Sequence, residues 1–271
     1  MKLTHNTYEQ LSAAIKRTNL NYWYASPELW CCQDYDLFFD GVRLFNEEGT
    51  LLIPPLVEGR IDEALQTHFK KSGCADILFA PHDIKDYIHP LVWSGFKVEI
   101  IDQNYVNSTE RVVGLQGHQL KKLRNNVRNF GRELVNKPMT LSDIPRAVEL
   151  CEKYHCQSKE FDDIEYNTTI LENLKRFDLI QRGYWEGDEM VAFNVGAPLS
   201  PTTASFLISK SRHDIKYLVD YVRHDFHVDC FSRGFAFVND GSDLESEGLA
   251  QLKRKFAPVE ILPVYSLEWI R

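Results

Sequence analysis

No apolar run in the sequence approaches the ~18–20 residues that cross a bilayer, and the opening Met1-Lys2-Leu3-Thr4-His5-Asn6 has no apolar signal core. These two absences lead us to expect a cytoplasmic chain without a membrane span. CxxC pairs are also missing. Cys31, Cys32, Cys74, Cys151, Cys156 and Cys230 follow no disulfide-framework spacing, which points to reduced thiols. His224, His227 and Cys230 fall at i, i+3 and i+6 of one predicted helix but lack a fourth partner, so no metal is expected. Positive charge is in deficit, with 31 Lys and Arg against 39 Asp and Glu and a net charge of −8. That balance excludes broad electrostatic capture of nucleic acid, though not a local basic patch.

What remains is a globular composition. Hydrophobic residues make up 44% and charged residues 26% of 271 positions, enough for two ordinary domains. The second half predicts helices over 147–154, capped by Ser142 or Asp143, and over 166–177. A strand over 179–185, a Glu186-Gly187-Asp188-Glu189 turn and strands over 190–197 and 202–209 follow. Then come a helix over 216–231, an apolar strand over 234–239, a helix over 247–256 and a last strand over 259–269. The first half repeats much of this order in shorter form. It predicts a helix over 8–15, strands around Asp40-Gly41, a third strand over 50–55, a helix over 61–71, a strand over 75–80, a helix over 84–93 and a strand over 96–101. The element order is that of a mixed α/β sheet and resembles the GNAT acyltransferase fold, passed through twice. We therefore divide the chain into a degenerate N-terminal unit (1–112), a basic linker helix (113–134) and a C-terminal unit (135–271) with the candidate active site. Pro54-Pro55 falls where the first copy would need a phosphate-binding turn. Trp23, Trp30, Trp93, Trp185 and Trp269 read as core or groove-lining aromatics.

Three stretches carry a closer resemblance. Leu115-Gln116-Gly117, Lys122, Arg124-Asn125 and Phe130 form one; Phe237-Val238-Asn239-Asp240, Gly248-Leu249 and Lys253 to Pro258 form the second; Leu20-Asn21-Tyr22-Trp23 with Tyr105-Val106 forms the third. Together they resemble the family of the C-terminal domain of phosphatidylglycerol lysyltransferase, known as DUF2156. The resemblance implies a tandem GNAT fold akin to the Fem aminoacyltransferases, with acyl-CoA or aminoacyl-tRNA as co-substrate, no tightly bound cofactor and an amine as acceptor. The chain departs from the family at Asp240-Gly241-Ser242-Asp243, where a charged E-x-D run is usual, and it lacks the lysyltransferase's membrane domain.

The chemistry needs a proton acceptor for the amine and donors for the developing oxyanion. Asn239, Asp240 and Asp243 follow the buried strand, at the strand end where α/β sheets place ligands, with Asp240 or Asp243 as the proton acceptor. The alternative is that Ser242 and Asp243 only cap the last helix. Lys210, Arg212 and Lys216 stand where a GNAT donor loop holds phosphate, but this loop contains no glycine. Lys253 and Lys255 have the reach for a phosphate or the donor carbonyl, or else offset a helix dipole. In the linker, Lys121, Arg124, Arg128 and Arg132 recur at three- or four-residue spacing with Asn125 among them, a basic stripe for a polyanion such as tRNA or a charged bridge between the units. A module that keeps this fold to bind a nucleotide, tRNA or protein without catalysis is the rival reading, and a CoA-dependent acetyltransferase the third.

Overall fold

The computed structural model describes residues 5–18, 27, 29, 37–154 and 163–270. The Leu20-Asn21-Tyr22-Trp23 motif, Trp30, Cys31, Cys32 and Cys156 lie outside them. The chain divides into two compact units, one of Met1–Asn104 with Ile261–Arg271 and one of Tyr105–Glu260.

In the first unit, helix α1 (His5–Arg17) buries Leu11, Ala14 and Ile15 at helical spacing. Strands β1 (Phe38–Phe39) and β2 (Leu44–Phe45) pair in register across the Asp40-Gly41 turn. Gly41 takes φ +96°, and the Asp40 carboxylate accepts the Arg43 amide at 2.8 Å. The strand expected over 50–55 is reduced to bridges at Leu51. Pro54 and Pro55 supply no N–H to a ladder, which stops it there. Helix α2 (Asp62–Ser72) ends on Gly73, whose left-handed φ of 72° lets its amide return to the Phe69 carbonyl at 2.8 Å. Strand β3 (Ile77–Ala80) follows. The helix expected over 84–93 is a 3-10 turn at Ile84–Tyr87 and a separate short α3 (Pro90–Trp93). Pro90 forces His89 into extended backbone, φ −61° and ψ 138°, which breaks the run. Strand β4 (Phe96–Ser108) outlasts its predicted end by seven residues and carries the chain into the second unit. The chain returns through β10 (Glu260–Trp269), which pairs antiparallel with β3, and Trp269 meets Phe96 edge-on at 4.8 Å.

The second unit begins in the last residues of β4. Helix α4 (Thr109–Gly114) and helix α5 (Lys121–Arg128) come next, then the short edge strand β5 (Val135–Lys137). A 3-10 turn, Leu141–Asp143, opens into α6 (Ile144–Lys153). Thr140 caps the 3-10 turn in a reciprocal box with Asp143, and Asp143, one of the two expected caps, holds the cap position of α6 without a side-chain cap bond. Helix α7 (Asp163–Glu172) leads to strands β6 (Ile180–Glu186), β7 (Glu189–Pro198) and β8 (Thr203–Ser211). Helix α8 (Leu218–Ser232), strand β9 (Phe237–Asn239) and helix α9 (Glu247–Arg254) complete the unit.

Strand order within this unit is β4-β9-β8-β7-β6-β5, all antiparallel except β9 beside β8. A parallel neighbour requires a crossover, and α8 supplies it. Residues 190–197 of β7 are buried without a break, so both sheet faces are covered. On one face Asn194 donates to the Val222 carbonyl of α8 at 2.6 Å. On the other, Lys210 reaches Tyr154 and Asp163 at the ends of α6 and α7. Gly196 of β7 has no room for a side chain, because a Cβ would meet the Ser205 carbonyl oxygen and, at 2.5 Å, the Phe226 ring. Gly196→Ala is therefore expected to lower stability by about 1–3 kcal/mol in urea unfolding with an unchanged m-value. Gly187→Ala, at a turn glycine with φ +60° and no atom near its Cβ position, is expected to cost only the backbone strain.

Candidate functional site

Strands β8 and β9 pair at only three positions, Thr203 with Phe237, Ala204 with Val238 and Ser205 with Asn239. Beyond that point β9 ends while β8 runs on to Ser211, so the sheet forks. The residue that leaves β9 at the fork is Asp240. It is 4% exposed, and both its carboxylate oxygens accept from Arg223 Nη2. Lys253 Nζ lies 3.6 Å from Asp240 Oδ1 and donates to the Asp240 carbonyl. The Arg223 guanidinium sits over two rings, 4.5 Å from the Phe206 centroid and 5.6 Å from that of Phe256.

Burial alone would raise the Asp240 carboxyl, but the charges of Arg223 and Lys253 and the bonds from Arg223 outweigh it and hold it below the usual carboxylate value. Burial also pulls the Lys253 ammonium down, against the pull of Asp240. Asp240 is thus a fixed negative charge between two buried cations and a weak base.

Asp243, three residues on, has a different partner. Its Oδ2 accepts the Tyr105 hydroxyl at 2.6 Å. Burial, then that hydrogen bond, raises the Tyr105 phenol, so it stays protonated as a donor. The loop is laced to β4 by Asp240 N to Tyr105 O at 2.8 Å and Tyr105 N to Gly241 O at 3.2 Å. Asn239 Oδ1 accepts the Gly241 amide at 2.9 Å, which turns the chain out of β9. Leu244 and Glu245 both take left-handed backbone, φ 50° and 56°, which side-chain-bearing residues adopt only under constraint. The cap of α9 is Ser246, so capping is not what Ser242 and Asp243 do.

The donor-loop cations are largely committed. Lys210 is buried, with Nζ 2.5 Å from Asp163 Oδ2 and 3.2 Å from the Tyr154 carbonyl. Arg212 pairs with Glu189 and Asp214, each at 2.6 Å, and its hydrogen bond lowers the Asp214 carboxyl to about 2. Arg212 also borders a cleft of about 360 Å³ with Arg146, Glu149, Lys153, Asp188 and Met190. Lys255 pairs with Asp220 at 2.7 Å. Lys216 pairs with no carboxylate among the described residues and lies 4.7 Å from the Tyr217 ring. It stands at the start of α8, where Tyr217 occupies the cap position without a side-chain cap bond.

In the basic segment, Arg124 donates to the carbonyls of Leu115 at 2.6 Å and Gly117 at 3.2 Å, holding the turn before α5. Arg132 lies beyond the helix and pairs with Glu186. The expected four-residue stripe is therefore broken, because α5 ends at Arg128. Lys121, Lys122, Asn125 and Arg128 face solvent, the first three beside a shallow depression of about 490 Å³ shared with His118 and Gln119. Asn126 fixes α5 to α8 through Asp220 at 2.5 Å.

Sequence reasoning missed Arg223 and gave Tyr105 and His227 no part in this site. Arg223 was detectable, since it sits between Val222 and Phe226 on the apolar side of α8, where a charge needs a buried partner. His227, one turn on, gives its Nδ1 to the Arg223 carbonyl at 2.8 Å, and burial lowers it to about 4. Cys230 lies in an apolar cluster with Phe226 and Val238, and burial raises its thiol.

No protein-family model and no curated protein matches the chain. Among solved structures, a Bacteroides thetaiotaomicron protein of unknown function aligns with TM-score 0.81 at 16% identity, over 99% of this chain and 98% of that one. L-PGS from Bacillus licheniformis aligns with TM-score 0.66 at 17% identity, over 97% and 92%. FemX aligns with TM-score 0.64 at 11% identity, over 100% and 97%. Within the described residues no helix is long and apolar enough to cross a membrane.

Asp240→Asn leaves Arg223 and Lys253 buried without their shared counter-charge, and a loss of roughly 3–5 kcal/mol is expected at pH 7. Because the native Asp240 value is depressed, its contribution is complete above the unfolded value of about 3.9 and is lost as pH falls through the lower native value. His227 is also depressed, so its stabilising effect is complete above about 6.5 and declines as pH falls toward its native value of about 4. Denaturant melts between pH 7 and 4 should show a steeper decline in the wild type than in His227→Phe, where the lowered His68 and His224 still contribute. Taken together, the chain has the mixed α/β, tandem GNAT-type fold shared with L-PGS and FemX over nearly its whole length.

Proposed function

We propose that the chain is an acyl- or aminoacyl-transferase that moves an activated acyl group, from acyl-CoA or aminoacyl-tRNA, onto an amine at the fork between β8 and β9. The observation that carries this reading is the parting of the two strands after Ser205 and Asn239, with the Asp240, Arg223 and Lys253 charges at the point of parting. The backbone of β8 beyond Ser205, without a ladder partner on the β9 side among the described residues, offers an edge along which an extended ester can lie.

In this reading Lys253 supplies positive charge to the oxygen that becomes anionic in acyl transfer. Asp243, bonded to the Tyr105 hydroxyl, takes the amine's proton through Tyr105 or a bridging water. Asp240 is the anchor that keeps Lys253 and Arg223 in place, and Asn239 shapes the turn that presents them. Lys216, without a carboxylate partner among the described residues, receives donor phosphate at the start of α8, with Arg212 released from its surface pairs to assist. The exposed cations of α5, Arg128 and Lys121 with Asn125, would steer an acceptor stem or other polyanion. The N-terminal unit is a degenerate copy without its own site, since Pro54-Pro55 replace the turn it would need. Both donor types belong to the cytoplasm, where we place the activity.

One observation favours the rival, a non-catalytic module. Phe206 is buried and stacked on Phe226 at 4.2 Å under Arg223, occupying the floor of the fork. The donor classes decide between them. Purified protein incubated with charged tRNA pools and with acyl-CoAs is expected to consume one of the two, and Asp243→Asn is expected to slow that turnover by about 10²–10⁴-fold. Binding of a donor without consumption would support the module; failure to bind either would remove both donors from consideration.

A further inference from the structure

Beneath α8, apart from the carboxylate chemistry above, lies a set of buried polar atoms that no group among the described residues satisfies. Asn107 on β4 is wholly buried, and neither its Oδ1 nor its Nδ2 has a hydrogen-bond partner. His227 is also wholly buried. Its Nδ1 faces the Arg223 carbonyl, which only accepts, so the proton sits on Nδ1 and Nε2 presents a bare lone pair without a partner. Arg223 Nε, likewise unpartnered, presents an N–H.

These residues share one layer. Asn107 is in register with Val238, so the two side chains leave the same face of the sheet. Val238 packs with Phe226 and Cys230 of α8, so that face is the one α8 covers. Arg223 and His227 are one turn apart on α8, flanking Phe226 in sequence, and both are buried.

A buried polar atom left unmet costs more than a typical hydrogen bond gains, and here four such atoms lie in one layer. Their chemistry is mixed. Asn107 offers a donor and an acceptor, His227 Nε2 an acceptor and Arg223 Nε a donor. An ion satisfies only one sign of that set, whereas water donates two bonds and accepts two. We propose that this layer is a built hydration site, in which one or more ordered waters bridge the Asn107 amide to His227 Nε2 and Arg223 Nε. The bridge gives the Arg223 side chain a second hold besides Asp240, so Asn107 acts as a positioning residue for the buried ion cluster. The proposal does not depend on acyl transfer and stands if that reading fails.

The experiment uses the full chain. Water-to-protein cross-relaxation in NMR, with a crystal structure at a resolution that defines waters, is expected to show a long-lived water within hydrogen-bond distance of the Asn107 amide and of His227 Nε2 or Arg223 Nε. Asn107→Leu, apolar and similar in volume, is expected to lose at least one long-lived water, counted by oxygen-17 relaxation dispersion. His227→Phe provides the second arm if Asn107→Leu does not fold, and the same loss is expected. The proposal is overturned if the Asn107 amide bonds only to protein atoms, if the layer is dry, or if a folded variant keeps the full water count.

Discussion

Two cations share one carboxylate in the interior of the C-terminal unit, and the architecture around the fork is arranged to make that tolerable. Removing Asp240, Arg223 and Lys253 from water is expensive, and their mutual attraction repays the cost only if geometry is tight and remaining polar atoms are met. The structure meets the geometric part of that condition by several routes. Asp240 accepts from Arg223 on both oxygens, Lys253 also serves the Asp240 carbonyl, and Phe206 and Phe256 flank the guanidinium. Each partner comes from a different element, α8, the end of β9 and α9, so the cluster fixes three pieces of chain at one point.

That point is also where hydrogen bonding between β8 and β9 ceases. A sheet normally continues its ladder, since unpaired backbone inside a protein is costly. Here β9 stops after three residues and its chain turns away through Asn239 and Gly241 toward Tyr105. The ion cluster holds the turn that ends β9, while β8 beyond Ser205 has no ladder partner on that side among the described residues. The strained Leu244 and Glu245 backbone follows immediately, in the loop that presents Asp243. Charge, strain and an open edge therefore coincide within a few residues, as they do where a fold is adapted to a ligand.

Much of this was legible in the sequence, for identifiable reasons. The elements of the C-terminal unit declare themselves through strong periodicity and turn chemistry, as in the Glu186-Gly187-Asp188-Glu189 hairpin. The first unit was harder to read where prolines intervene. Pro54-Pro55 ended a strand before it formed, and Pro90 divided a helix, both local effects that hydrophobic patterning alone overrides. Asp240 and Asp243 were singled out from their place after an apolar strand, but their unlike surroundings were not visible, because Arg223 and Tyr105 come from 17 and 138 residues away. The basic stripe misled for a different reason. Helical spacing assumed one continuous helix, whereas α5 closes at Arg128 and Arg124 turns back onto the preceding loop.

The central claim is that an activated ester lies along the free edge of β8, facing the Asp240 loop. Hydrogen exchange of the full chain, with and without a saturating stable analogue of an acyl-CoA or of a 3′-aminoacylated tRNA end, tests this most directly. The account predicts slowed exchange confined to residues 206–211 of β8, the start of α8 and the loop at 240–245. Protection that appears elsewhere and leaves those amides unchanged would contradict it.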